Sequence, residues 1–396
     1  MTLKRASVWI LVLIGLAAAL AAALSLPRAG IGWDAPVDAR AYAEVQALEP
    51  TASLNEAYEG VLSTSEFYGI LVPQMAQASH NLITGSHQTL EPWNLATYRW
   101  QAGVVVSLAI AAAAILGLAV TFALRSPLAG SYVWALVMST PLYLGSSHIN
   151  FKDVPVAAGV SIFSAGLVLT VLRRNRATAW LLGSSLLVLG SIITLGTRPG
   201  GWPLLLACGL GTLGILTIQG LRSSDWVATL PTAVGLGAAA VATLLFLRAT
   251  NPFASIDLFR WLGDSFSIMR QYPWDGVTRV AGQDFVATDL PWWYIPSWLL
   301  AQLPVLTLLA VLWGLITVGA SLWRQKWAPP RRLLIPLTPL AIQGILLPLI
   351  IVMTGSVLYD GLRHVLFMVP ALIALSGWGI ATLEYGATSQ KKRQSW

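Results

Sequence analysis

Charge is what this chain lacks. Only 10% of its 396 residues are charged, against roughly a quarter in an ordinary soluble domain. A surface facing water on all sides cannot be coated with so little, which excludes a soluble enzyme, a disordered protein and a nucleic-acid binder. Cysteine is nearly absent too. With Cys208 alone, no internal disulfide and no thiolate metal cage can form. The four histidines, His80, His87, His148 and His364, contain no His-x-x-x-His pair for zinc. In place of these stands apolar sequence: 56% of residues are hydrophobic, and the mean hydropathy is +0.68. The composition is that of a polytopic membrane protein.

A hydrocarbon core of ~30 Å takes about 20 mostly apolar residues per helix. Ten such runs are present, at 7–26, 102–124, 129–146, 154–172, 178–196, 201–220, 226–247, 296–323, 333–354 and 363–383. The predicted fold is therefore an all-α polytopic transmembrane bundle, a single domain over 1–396. The first run is longer than the ~7–15 apolar residues of a cleaved signal and reads as a signal anchor. Alternation of ten spans gathers Lys4, Arg5, Arg125, Arg173, Arg174, Arg176, Arg222, Arg324, Lys326, Arg331, Arg332, Lys391, Lys392 and Arg393 on one side, with only Asp225 and Glu384 for acids. That side carries +12 and the other −5 of the net +7. The positive-inside rule then predicts both termini in the cytoplasm. Two long loops, 27–101 and 248–295, fall outside.

Loops of this length are usually functional. In the first, Ser53-Leu-Asn-Glu56 reads as a capping box. Leu54, Tyr58, Leu62, Ser65 and Tyr68 then recur on one face, as in an amphipathic helix on the membrane surface or one packed against other loops. Internal repeats of the inverted-transporter kind are not visible.

Ionisable residues beside hydrocarbon are costly and point to function. Four groups occupy the outer ends of the predicted spans: Asp34 with Asp38, after the first; His148-Ile-Asn-Phe-Lys152-Asp153-Val-Pro155; Thr197-Arg198-Pro-Gly-Gly; and Tyr359-Asp360-Gly361-Leu-Arg363-His364. Each has a plainer reading, as a solvated loop acid, a helix cap or a snorkelling arginine. Trp292-Trp293-Tyr294 fits an aromatic belt better than a sugar platform, and Asp257, Asp264, Asp275, Asp284 and Asp289 fit solvated loop acids. Together, a carboxylate and several cations at one mouth suit sugar transfer from a lipid phosphate. The acceptor hydroxyl needs a base, and the leaving phosphate needs cations. A single base opposite the leaving group predicts inversion at the anomeric carbon.

These residues resemble the motifs of the GT-C superfamily of membrane glycosyltransferases, in the protein O-mannosyltransferase and aminoarabinose-transferase branch. The resemblance covers most of the chain in organisation: one span, a long outer loop with surface helices, then a many-span bundle. It implies a polyprenyl-phosphate-linked sugar as donor, a glycan, lipid or protein hydroxyl as acceptor, and a site on the extracytoplasmic face of the membrane; the lack of disulfides and the high Ala, Leu and Gly content point to a bacterial inner membrane. It implies Asp34 as the catalytic base and Asp153 as a second catalytic carboxylate orienting base or acceptor. Lys152, Arg198 and Arg363 become donor-phosphate contacts, with Asp38, His148, Asp360 and His364 in support. The family's acidic pair after the first span is here Asp34-Ala35, with Asp38 as a substitute if the segment is helical. No soluble cofactor and no nucleic acid is implied. Asp34, Asp38 and Asp153 leave a divalent cation open. The alternative from another class is a transporter or flippase for a lipid-linked or anionic solute.

Overall fold

The computed structural model describes residues 3–32, 34–48, 53–61, 65–91, 94–172, 176–224, 226–324 and 335–394. Several residues used in the charge argument (Arg173, Arg174, Asp225, Lys326, Arg331 and Arg332) lie outside these ranges, as does Leu62.

Within them the chain is mostly helical. A long first helix, α1 (Leu3–Ser25), leads into α2 (Ala35–Gln46), α3 (Leu54–Glu59) and α4 (Leu71–Thr84). The bundle continues with α5 (Leu95–Leu124), α6 (Pro127–Met138), the short α7 (Pro141–Leu144), α8 (Asp153–Thr170), α9 (Arg176–Thr197), α10 (Trp202–Ser223) and α11 (Thr229–Thr250). After α12 (Pro252–Arg270) come strands β1 (Val277–Val280) and β2 (Gln283–Val286), then α13 (Tyr294–Gln302) and α14 (Val305–Arg324). The last part holds α15 (Thr338–Ala341), α16 (Leu347–Met353) and α17 (Met368–Gln394).

Among the described residues, seven helical segments are long and apolar enough to cross a membrane: Arg5–Arg28, Leu95–Leu124, Asp153–Thr170, Ala177–Thr197, Pro199–Arg222, Thr229–Thr250 and Ile335–Met353. The other three expected runs hold shorter apolar helices, Pro127–Met138, Val305–Ala320 and Met368–Glu384. Val305–Ala320 and Met368–Glu384 are the apolar parts of the longer helices α14 and α17. The helix α6 ends at Met138, ahead of Pro141, and Pro304 separates α13 from α14. Left-handed backbone at Asp360 and Gly361 (φ 55° and 74°) delays the start of α17.

At the centre stands α8, every residue of which is buried. It packs along its length against α5 and α9. A Cβ on Gly159 would meet the Gly190 carbonyl oxygen at 2.9 Å, and one on Gly166 the Gly183 carbonyl oxygen at 2.8 Å. Small residues at such crossings let backbones close on each other where no hydrophobic effect drives helices together. Gln343, fully buried in the π-turn Ile342–Leu346, donates to Ser161 Oγ on α8 (3.2 Å) and to the Phe367 carbonyl (2.7 Å).

Two features of the loops differ from expectation. The capping box is present, with Ser53 Oγ accepting from Glu56 N at 3.4 Å, but α3 ends at Glu59 and is no membrane-surface helix of the expected length. Tyr58 instead packs against Phe67 and Phe253, and its hydroxyl donates to Asp264 on α12 (3.1 Å). The first loop thus folds onto the second. The second loop also carries an antiparallel hairpin, β1 with β2, the one sheet among the described residues. Ala281 and Gly282 both have positive φ (48° and 84°), the backbone of a tight two-residue hairpin turn. Arg279 clamps Asp284 across the strands through Nε (2.7 Å) and Nη2 (2.8 Å).

Candidate functional site

Four stretches far apart in sequence meet at one end of the bundle: the start of α2, the turn before α8, the turn after α9 and the turn before α17. The turn before α8 is built by Asn150. Its Oδ1 accepts from the backbone N–H of Lys152 (3.2 Å) and of Asp153 (2.8 Å), satisfying donors that a helix start leaves free. Its Nδ2 donates to Asp153 Oδ2 (2.9 Å). Asp153 therefore opens α8 with a fixed carboxylate at the positive end of the helix dipole. A Pro at 155 costs nothing in that first turn.

Asp153 joins two cations. Its Oδ1 accepts from Arg198 Nη2 at 2.7 Å and its Oδ2 from Arg363 Nε at 3.1 Å, with only 4% of the side chain exposed. Arg363 then spends its remaining nitrogens on two more carboxylates: Nη2 on Asp34 Oδ2 (2.5 Å) and Nη1 on Asp360 Oδ2 (2.9 Å). Lys152 Nζ pairs with Asp38. Asp34 is the residue before α2 and Asp38 lies one turn on, its N–H donating to the Asp34 carbonyl (3.0 Å). The two carboxylates thus share a face of α2. Burial pushes the Asp38 carboxyl above its ordinary value, outweighing the opposing pull of Lys152. The neighbouring Asp153 holds the Arg198 guanidinium more firmly charged, against its own burial.

A cavity of about 240 Å³ opens among these groups. Asp34, Asp38, Lys152 and Arg363 line it, together with Tyr68 and Tyr359. Lys152 Nζ sits 4.1 Å from the Tyr68 ring centroid, and Arg198 Cζ 5.5 Å from it, within reach of a cation–π attraction. Burial raises the pKa of the Tyr68 and Tyr359 hydroxyls, which keeps both as neutral donors. Of Asp34, Asp38 and Asp153, Asp34 is the most accessible, at 37% exposure of its side chain against 17% and 4%.

Two glycines allow the segments to come this close. A Cβ on Gly32 would overlap the Ile149 carbonyl, and one on Gly69 the Gly196 carbonyl. Gly69 N–H donates to the Thr197 carbonyl (3.0 Å), which sets Tyr68 beside Arg198.

Of the residues expected from sequence, Asp34, Asp38, Lys152 and Arg363 line the cavity, while Asp153 stands behind it, paired with both Arg198 and Arg363. Asp360 sits outside, 63% exposed, on Arg363. His364 is half-buried, edge-on against Tyr359 with ring centroids 4.4 Å apart. His148 is elsewhere: its Nε2 lies 2.9 Å from Ser25 Oγ and 3.0 Å from the Ala22 carbonyl, tying the turn after α7 to the end of α1. Tyr68, Tyr359 and Asn150 were given no site role by the sequence, and Gln101 was not singled out at all. A divalent cation fits poorly. Among the described residues no three Asp, Glu, His or Cys side chains converge as metal ligands, and Asp34, Asp38 and Asp153 each face Arg or Lys instead. Comparison of the chain with protein-family models, with curated proteins and with solved structures gives no match.

Proposed function

We propose that this chain is a membrane glycosyltransferase of the GT-C kind, transferring a sugar from a polyprenyl phosphate to a hydroxyl acceptor. The observation that carries the reading is the cavity wall itself: an accessible carboxylate, Asp34, and two cations, Lys152 and Arg363, face one space at the end of a helix bundle. Carboxylate and cations are what the two ends of such a displacement require.

In this mechanism Asp34 accepts the proton of the acceptor hydroxyl as its oxygen bonds to the anomeric carbon. The bond from that carbon to the phosphate oxygen breaks, and its electron pair leaves with the polyprenyl phosphate. Lys152 and Arg363 neutralise the charge that grows there. Attack opposite the leaving group inverts the anomeric centre. An incoming phosphate competes with Asp34 for Arg363, so donor binding draws Arg363 onto the phosphate and frees Asp34 as a base. Asp153 acts one layer back, positioning Arg363 and itself held by Arg198, and Asp38 holds Lys152. The acceptor is a glycan, lipid or protein hydroxyl. The proposed arrangement has ten spans with both termini cytoplasmic and the cavity on the outer face of a bacterial inner membrane, where the isoprenoid tail enters from the outer leaflet.

Purified protein in nanodiscs, offered radiolabelled polyprenyl-phosphate sugars and an extract of envelope acceptors, tests this. The reading expects label in a new product with the inverted anomeric configuration. Movement of the intact lipid across liposome membranes without any new product would assign the chain to transport instead.

A further inference from the structure

Beside the ion-pair cavity lies a smaller one of about 50 Å³. The two share Tyr42, Pro73 and Gln101 in their walls, so they meet along these three residues. Chemistry changes across that junction. The larger cavity is lined by Asp34, Asp38, Lys152 and Arg363, whereas no charged side chain lines the smaller. Its polar wall is made of amides and hydroxyls, among them Gln46, Thr89 and Thr97.

Most of these groups already have work. Gln77 accepts from Leu90 N–H (2.7 Å) and donates to Asn81 Oδ1 (2.8 Å) and the Gln88 carbonyl (2.9 Å), which fixes the segment after α4 as one wall. Thr97 donates to the Glu91 carbonyl (2.6 Å). Gln101 differs. It lies one and a half turns into α5, is only 2% exposed, and its amide makes no hydrogen bond among the described residues. Gln101 lines both cavities, so a polar group there meets an amide with no protein partner of its own among the described residues. The amide offers both a donor and an acceptor, the complement of a hydroxyl pair.

We propose that Gln101 and the smaller cavity form a neutral subsite for the hydroxyl-bearing edge of the donor's sugar, whose phosphate rests on Lys152 and Arg363. The inference builds on the glycosyltransferase reading and adds where the sugar goes. A space of about 50 Å³ takes a hydroxymethyl group or a pair of ring hydroxyls rather than a whole hexose. The subsite therefore reads one edge of the sugar and selects among epimers there. A site built to hydrogen-bond a hydroxyl discriminates strongly against a ligand lacking it.

The test measures binding to protein in nanodiscs of two lipids of equal chain length, a polyprenyl-phosphate hexose and the sugar-free polyprenyl phosphate. Gln101→Leu is expected to raise the Kd of the hexose lipid about tenfold, the loss of one to two hydrogen bonds, and to leave the sugar-free lipid unchanged. Ala43→Leu, which fills the smaller cavity from α2 without removing a polar group, is expected to give the same selective loss. It serves equally if Gln101→Leu fails to fold. Equal weakening of both lipids by folded variants, or no weakening of either, overturns the subsite while leaving the glycosyltransferase reading in place. Failure of the wild type to bind either lipid sinks that reading and the subsite with it.

Discussion

Arg363 serves three carboxylates, and Asp153 serves two guanidiniums. Such a knot is poor evidence for stability, since desolvating the charges costs about what their attraction returns. Breaking it is another matter, because the partners left behind remain buried. Asp153→Asn keeps the shape of the side chain but strands the buried Arg198 and leaves Arg363 with two of its three carboxylates. It is expected to destabilise the protein by about 3–5 kcal/mol, measured by unfolding in detergent, and to weaken donor binding through the loosened Arg363. A variant as stable as the wild type would remove Asp153 from its positioning role. The ionisable members of the site were legible in sequence because charges beside hydrocarbon are rare enough to stand out one by one. Their pairing was not legible: that Arg198 meets Asp153 rather than a ligand depends on how α8 and α9 cross. Tyr68 and Gln101 were missed for another reason. Polar and aromatic residues at a membrane edge are ordinary, and only the cavities they line set them apart.

At the scale of elements, close backbone approaches hold the site together. Gly69 rests on the end of α9, where a Cβ would overlap the Gly196 carbonyl, and its N–H is bonded to Thr197. Gly69→Ala is expected to push the Tyr68 segment off Arg198 and lower transfer at least tenfold, while Gly237→Ala, with open space at its Cβ position, leaves activity intact. Equal activities in the two variants would contradict the role given to Gly69. Sequence periodicity located the long apolar helices well, because hydrocarbon thickness demands uninterrupted runs. It overran wherever proline intervened, at Pro141 and Pro304. It also overextended α3, whose apolar face is covered by α12 rather than by lipid, a tertiary contact that periodicity does not contain. The hairpin around Ala281-Gly282 escaped notice since eight strand residues leave little alternation to count.

For the whole molecule, the burial of α8 on all sides makes it the fixed core, and α2, α4 and the turns before α8 and α17 form a cap at one end. The proposed orientation puts that cap outside the cytoplasm. Cys208 is fully buried, so a Cys208→Ser background gives a clean chain for labelling. In it, Gln88→Cys in the first long loop is expected to react with a membrane-impermeant maleimide added outside intact spheroplasts. Reaction only after lysis would invert the topology and move the site to the cytoplasmic face. The net charge of +7 is in this account a consequence of orientation and not a binding surface.

The central claim is that Asp34 is the base in a cavity whose cations hold a lipid phosphate. Single-turnover transfer from a bound polyprenyl-phosphate sugar, compared between wild type and Asp34→Asn, tests it most directly. The rate of transfer is expected to fall about 10²–10⁴-fold, with the donor's Kd unchanged or tighter because Arg363 is released to the phosphate. Transfer at the wild-type rate by Asp34→Asn, with donor bound, would contradict it.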